Sequence, residues 1–227
     1  MSFAIPAWDI PSLPVASSAD RYPVRRIYCI GRNYAAHARE MGADEREPPF
    51  FFLKPADAIV QDGETIPYPA ATGNLHYEAE LVAAIGKPGK NIPVENANDH
   101  IFGYGVGIDL TRRDLQDEAK QMRRPWDMGK AFDQSAPCSA IHPVASVGHP
   151  AKGAIWLKVN GETKQSGDLT ELIWSVPESI AYLSGLVELM PGDLIYTGTP
   201  AGVGAVIKGD RIQVHVNGVC ELNIAIG

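Results

Sequence analysis

The chain has 227 residues, 45% of them hydrophobic, and a formal net charge of −7. That length suits a single domain with a substantial core. An acidic balance with no long basic run argues against nucleic acid as the main partner, and no apolar run approaches the ~20 residues of a membrane span.

Residues 1–24 carry Pro6, Pro11, Pro14 and Pro23. Proline at this density favours extended, irregular chain, so an arm lying over the body is expected, with Trp8 as its anchor and a single catalytic domain over 25–227. The start lacks the basic residues and apolar run of a signal peptide. Cys29, Cys138 and Cys220 are far apart and odd in number. This argues against a disulfide framework and for a reducing compartment, here the cytoplasm. Arg26–Ile30 reads as a buried strand ended by Gly31. Asn33 or Tyr34 then opens a short helix over Ala35–Met41, stopped by Gly42. His37 and Glu40 are three apart on it and therefore neighbours. A carboxylate beside an imidazole raises its basicity, as a general base requires, although such a pair is also common on an ordinary polar helix face. Pro49–Leu53 is an apolar, buried strand running into Lys54.

The next stretch, Asn74–Gln116, carries the densest chemistry. Asn74–Val82 alternates and reads as one strand. On it Glu78 and Glu80 share a face. Two carboxylates crowded on one face repel and lose hydration, and a hard divalent cation relieves both costs. Asp109, closing the apolar run Ile101–Ile108, offers a third oxygen. Three carboxylates completed by water suit Mg²⁺, or Mn²⁺ in its place. Without an ion, the Glu-x-Glu pair is the wet face of a half-exposed sheet. Glycines at 103, 105 and 107 mark close backbone approach and lack dinucleotide-motif spacing. Thr111 and Asp114 have capping-box spacing, so a helix is expected to start there, with Arg113 and Gln116 facing Asp109. Residues 120–125 are basic and lead to Lys130. Ile155–Val159 and Glu162–Gln165 flank Asn160-Gly161 as a hairpin. Ser175 and Glu178 cap a helix whose stripe Ile180, Leu183, Leu186, Val187 and Met190 is read as core, ended by Pro191-Gly192-Asp193. After the strand Leu194–Tyr196, the loop Thr197–Gly204 offers hydroxyls and N–H groups that can hold a carboxylate. Arg211–Val216 and Val219–Ile226 form a second hairpin at Asn217-Gly218. Mostly short strands with few helices make a β-rich α+β domain.

Six segments occur in order: Gly-Arg-Asn-Tyr (31–34), Phe-Leu-Lys-Pro (52–55), Glu-x-Glu (78–80), Asp-Leu-Thr-Arg-Arg-Asp-Leu-Gln (109–116), Lys-Ala-Phe-Asp (130–133) and Thr-Gly-Thr-Pro (197–200). Together they resemble the fumarylacetoacetate hydrolase family, in its short acylpyruvate hydrolase branch. The resemblance runs from about Ile27 to the C-terminus and implies a mixed β-roll fold and a homodimer. It implies hydrolysis of a C–C bond in an acylpyruvate, with fumarylpyruvate as the substrate it points to. Glu78, Glu80 and Asp109 would hold Mg²⁺, with Mn²⁺ or Ca²⁺ as substitutes. His37 with Glu40 would activate the attacking water and Lys130 would stabilise enolate charge. Arg32, Lys54, Arg113, Gln116 and Thr199 would bind substrate; Arg32, Arg123 or Arg124 would meet a far carboxylate. The alternatives are oxaloacetate decarboxylation, isomerisation or decarboxylation of a heptenedioate, and a non-catalytic metal-binding protein.

Overall fold

The structure, a computed structural model, describes residues 3–34 and 47–227. The expected helix over Ala35–Met41, with His37 and Glu40, lies outside them. A six-stranded sheet runs in the order His142–Pro143, Ile101–Ile108, Ala79–Ile85, Asp193–Tyr196, Arg26–Gly31, Phe50–Lys54. All its pairings are antiparallel except Asp193–Tyr196 with Arg26–Gly31. A five-stranded sheet runs in the order Glu162–Asp168, Ala154–Val159, Arg211–Val216, Cys220–Ile226, Thr65–Ile66. Among the described residues helices are few, and the β-rich α+β reading holds. Among the described residues no helix is long and apolar enough to cross a membrane.

The Ala79–Ile85 strand is buried at every position, because both faces of its sheet are covered. Ala79, Leu81, Ala83 and Ile85 pack in one core with Ile155, Leu157 and Val214 of the second sheet. Val82 and Ala84 pack in another with Leu13, Tyr22, Cys29, Cys138 and Tyr196. The second core requires the N-terminal segment. Ser12–Pro14 pairs antiparallel with Arg21–Pro23, and the Tyr22 hydroxyl donates to the carbonyl of Ile85 at 2.8 Å. The anchor is therefore Leu13 and Tyr22, not Trp8, which is 82% exposed. Asp193 ties the parallel pair from the side: it is fully buried and takes Arg26 in a two-point contact at 2.7 and 2.9 Å.

The glycines of Ile101–Ile108 sit where other chain presses close. A Cβ at Gly103 would lie 2.3 Å from the His142 carbonyl oxygen, and one at Gly107 would lie 2.5 Å from the Tyr196 ring. The Asn160-Gly161 hairpin forms as expected, both residues having positive φ (51° and 84°), as a type I′ turn requires. The Ser175–Glu178 capping box also forms.

Four local expectations are corrected. Asn74–Val82 is two strands, Leu75–Tyr77 and Ala79–Ile85, parting at Glu78. Leu75–Tyr77 leaves to pair with Thr111–Arg112 and Gly204–Val206. Phe50–Lys54 is an edge strand rather than a buried one, with Phe50 and Leu53 exposed and only Lys54 buried. The helix starts at Arg113 without a side-chain cap: the Thr111 hydroxyl turns into the site, while the Asp114 carboxylate accepts from Thr72 and the Gly73 N–H. The capped helix ends at Leu186, well before Pro191, and Leu186 is 62% exposed. The buried apolar residues around this point are Ile180, Leu183 and Leu189, since the chain leaves helical geometry at Val187 and the stripe loses its period.

Gly107→Ala is expected to cost about 1–3 kcal/mol, because the methyl meets packed core atoms that cannot retreat. Gly73→Ala, with nothing within 4 Å, should stay within about 0.5 kcal/mol. Urea midpoints of the two variants check the contrast.

Candidate metal centre and active site

Strand register builds the acidic trio. Glu80 stands opposite Gly107 and Ala79 opposite Ile108. The next pair in that register is Glu78 with Asp109, and the Asp109 N–H donates to the Glu78 carbonyl at 2.8 Å. Glu78 and Asp109 are thus cross-strand neighbours, and Glu80 lies two residues along on the same face. Carboxylate oxygens of all three lie within 4.8 Å of one another, and all three residues are buried. The strand break at Glu78 does not spoil this convergence, because the bond from Asp109 continues the ladder through it.

Buried cations hold the trio. Lys130, at the end of the short helix Asp127–Lys130, donates to Glu78 at 2.8 Å, Asp109 at 2.6 Å and the Thr111 hydroxyl at 2.6 Å. Its helix lies close to Arg113–Gln121 because Gly129 has no side chain; a Cβ there would sit 2.9 Å from the Gln116 backbone nitrogen. Lys54 lies 2.9 Å from Asp109 Oδ1 and donates to the carbonyls of Leu110 and Lys130. Arg113 reaches Glu78 at 2.5 Å and Gln116 at 2.5 Å. Glu80 accepts the Gly198 N–H at 2.6 Å. The Thr197–Gly204 loop therefore does hold a carboxylate, one belonging to the protein. Gly198 has φ +96° and packs on Asn33. Asn33 in turn donates to the carbonyls of Trp174 and Thr197 at 2.8 Å each. Thr199 lines the pocket, and its Oγ1 accepts from Gln165 at 2.8 Å.

Electrostatics follow from this crowding. Burial, then the charges of Asp109 and Glu78, push the Glu80 carboxyl well above the usual carboxylate range, against the Gly198 N–H. Burial opposes the Lys130 charge, but Asp109 and Glu78 outweigh it and raise its pKa above the ordinary lysine value. Burial and then Arg113 lower His76. The donor set fits a hard divalent ion: three carboxylates, no sulfur, and a buried Asp109 Oδ1 that accepts no directed hydrogen bond although Lys54 lies beside it.

Of the residues picked out in the sequence, Arg32, Glu78, Glu80, Asp109, Arg113, Gln116, Lys130 and Thr199 line one pocket, and Lys54 braces it from behind. Neither Arg123 nor Arg124 lines it. Sequence reasoning passed over Lys120 and Trp126, which do, and Gln165, whose side chain joins the Ala79 N–H to Thr199. Lys120 had a signal: 113, 116 and 120 are spaced for one helix face. Trp126 and Gln165 had none.

The family model described as "Fumarylacetoacetate (FAA) hydrolase C-terminal" matches residues 26–226. The chain is 50% identical over 181 residues to a fumarylpyruvate hydrolase from Ralstonia sp, covering 80% of this chain and 94% of that protein. It is 42% identical over 202 residues to the mitochondrial oxaloacetate tautomerase of Homo sapiens, covering 89% and 91%. The crystal structure of fumarylpyruvate hydrolase from Pseudomonas aeruginosa in complex with Mn²⁺ and pyruvate superposes with a TM-score of 0.97 at 54% identity, covering 99% of each chain.

A Glu80 that keeps its proton in the fold and loses it in the unfolded chain favours the fold at acid pH. That contribution is lost as pH rises from the unfolded value through the raised folded one. An entering ion must also displace that proton. Mn²⁺ should therefore raise the melting temperature more at about pH 8 than at about pH 5.5, with a gain near 2.7 kcal/mol at about 100 times Kd. Glu80→Gln should weaken Mn²⁺ binding at least about 10-fold, by analogy with losses at metal-supporting residues. Thermal melts with and without Mn²⁺ measure both.

Proposed function

The chain belongs to the fumarylacetoacetate hydrolase family, and from that membership we propose that it hydrolyses fumarylpyruvate to fumarate and pyruvate, in the cytoplasm, as a homodimer. The observation that carries this reading is the convergence of Glu78, Glu80 and Asp109 in one pocket, with Lys130 bonded to Glu78 and Asp109. Glu78, Glu80 and Asp109 would hold the divalent ion, Mg²⁺ in the cell with Mn²⁺ or Ca²⁺ able to substitute. Such an ion supplies Lewis acidity to the oxygens of the pyruvoyl end.

The remaining work falls to the chain's own residues. Gln116 and Thr199, with Arg113 held against Glu78 and Gln116, orient the pyruvoyl carboxylate and keto oxygen. His37, with Glu40 as its partner, takes a proton from water, and the resulting hydroxide attacks the distal ketone. The C–C bond breaks, its electron pair passes to the pyruvate enolate, and the fumaroyl fragment leaves as fumarate. Lys130 keeps its proton and sets a positive charge beside the enolate as it forms. Protonation at carbon completes pyruvate. Lys54 serves indirectly, by fixing Asp109.

Free cysteines, two of them fully buried, support a reducing compartment. Phe3, Ile5, Trp8 and Ile10, each at least 68% exposed, form an apolar stretch of the kind that a second subunit covers. The likeness to an oxaloacetate tautomerase supports a second reading, enol chemistry on oxaloacetate, which uses the same ion and enolate but no attacking water.

Pyruvate release from fumarylpyruvate should require added Mg²⁺ or Mn²⁺ and stop with a chelator. Lys130→Met should lower kcat about 10²–10³-fold, and His37→Ala should abolish hydrolysis while any enolisation of oxaloacetate persists. Consumption of oxaloacetate alone contradicts the hydrolase reading.

A further inference from the structure

Three cationic groups line the pocket beyond the innermost cluster of acids and lysines, and two of them have no acid of the metal site to serve. Arg113 is committed to Glu78 and Gln116. Lys120, two turns further along the same helix face, is not. Its carboxylate contact is Asp117 at 3.3 Å, a side chain 50% exposed to solvent. Its ammonium lies over the Trp126 ring, 5.4 Å from the centroid. Arg32 enters from the other wall, just past the Arg26–Gly31 strand, in a left-handed conformation (φ 59°) that an arginine seldom adopts. Its Nε is buried and makes no hydrogen bond among the described residues, and its guanidinium lies 5.8 Å from the Phe50 centroid. Phe52 and Trp126 make the apolar part of the wall.

The charge balance asks for an anion at this end. Lys54, Lys130, Arg113, Arg32 and Lys120 set five cations in or against a pocket with three carboxylates. The first three already pair with Glu78 and Asp109, and Glu80 accepts the Gly198 N–H, so the surplus sits on Arg32 and Lys120, before a divalent ion adds more. Burial first, then Arg113 and Arg32, lower the Lys120 pKa against Asp117; a bound carboxylate would relieve all three cations. A substrate with one carboxylate at the metal end and an uncharged tail leaves this pair unpaired.

We propose that Lys120 and Arg32 form a clamp for the distal carboxylate, selecting keto-diacids over acylpyruvates with uncharged tails. The acyl chain lies along Phe52 and Trp126 and its terminal carboxylate meets the two cations. Neither residue touches the reacting atoms; they set specificity. The substrate class rests on the hydrolase reading above, and the test separates the two.

The first measurement is the ratio of kcat/KM for fumarylpyruvate to that for acetylpyruvate. Lys120→Met should lower this ratio about 10- to 100-fold, chiefly through KM, as for one lost charge-assisted hydrogen bond. Lys120→Arg should restore most of it, and Arg32→Met should lower it in the same direction. An unchanged ratio overturns the clamp. The second is equilibrium binding of fumarate against crotonate, which lacks the distal carboxylate, to the Mn²⁺-loaded protein. The wild type should prefer fumarate, and Lys120→Met should lose that preference. Equal binding of the two, or binding of neither, overturns the clamp. A wild type that hydrolyses neither acylpyruvate but shows the fumarate preference, lost in Lys120→Met, sinks the hydrolase reading and leaves the clamp standing.

Discussion

The hydrogen bond from the Asp109 N–H to the Glu78 carbonyl is where fold and site meet. It extends the Ala79–Ile85 and Ile101–Ile108 ladder by one step past the last regular pair. That step sets two carboxylates across from each other, with Glu80 beside them. A shift of one residue would send Glu80 into the sheet-to-sheet core and Leu81 into the pocket. The register is locked from both faces, because each face of the Ala79–Ile85 strand is packed in its own core.

Three acids crowded in a dry place repel, and much of the surrounding chain answers that repulsion. Lys54 comes from the edge strand, Lys130 from a four-residue helix, Arg113 from the start of the helix before it, and the Gly198 N–H from the loop after Tyr196. These donors are far apart in sequence, so the site exists only when the fold is complete. Buried ion pairs of this kind add little net stability, yet removing one partner costs about 3–5 kcal/mol because the other is left unpaired. The glycines that let these elements approach are part of the same device: Gly107 against Tyr196, Gly129 against Gln116 and Gly198 against Asn33.

Short-range order was legible in the sequence wherever local chemistry decides it. The Asn160-Gly161 turn, the Ser175–Glu178 cap and the alternate glycines of residues 103–107 each carry their geometry in their own residue types. The acidic trio was legible too, as carboxylates set in apolar strands, although one long strand was expected where the chain breaks at Glu78. Tertiary demands overrode local ones at Thr111, whose hydroxyl serves Lys130 rather than its helix, and at Leu186, where the helix stops before its apolar stripe does. Lys54 and Lys130 look like surface lysines in isolation. Only the carboxylates they meet, 55 and 21 residues away at Asp109, make burying them favourable. No local pattern encodes a partner at that distance; family resemblance marked both lysines as site residues but did not give Asp109 as their partner.

The central claim is that these three carboxylates share one hard ion. Anomalous diffraction from a crystal of this protein grown with Mn²⁺ tests it most directly. The account predicts a single strong peak with oxygens of Glu78, Glu80 and Asp109 all at bonding distance, about 2.0–2.3 Å as for oxygen ligands of hard divalent ions. A pocket without a peak, or a peak that leaves any of the three carboxylates turned away to its lysine or arginine alone, would contradict it.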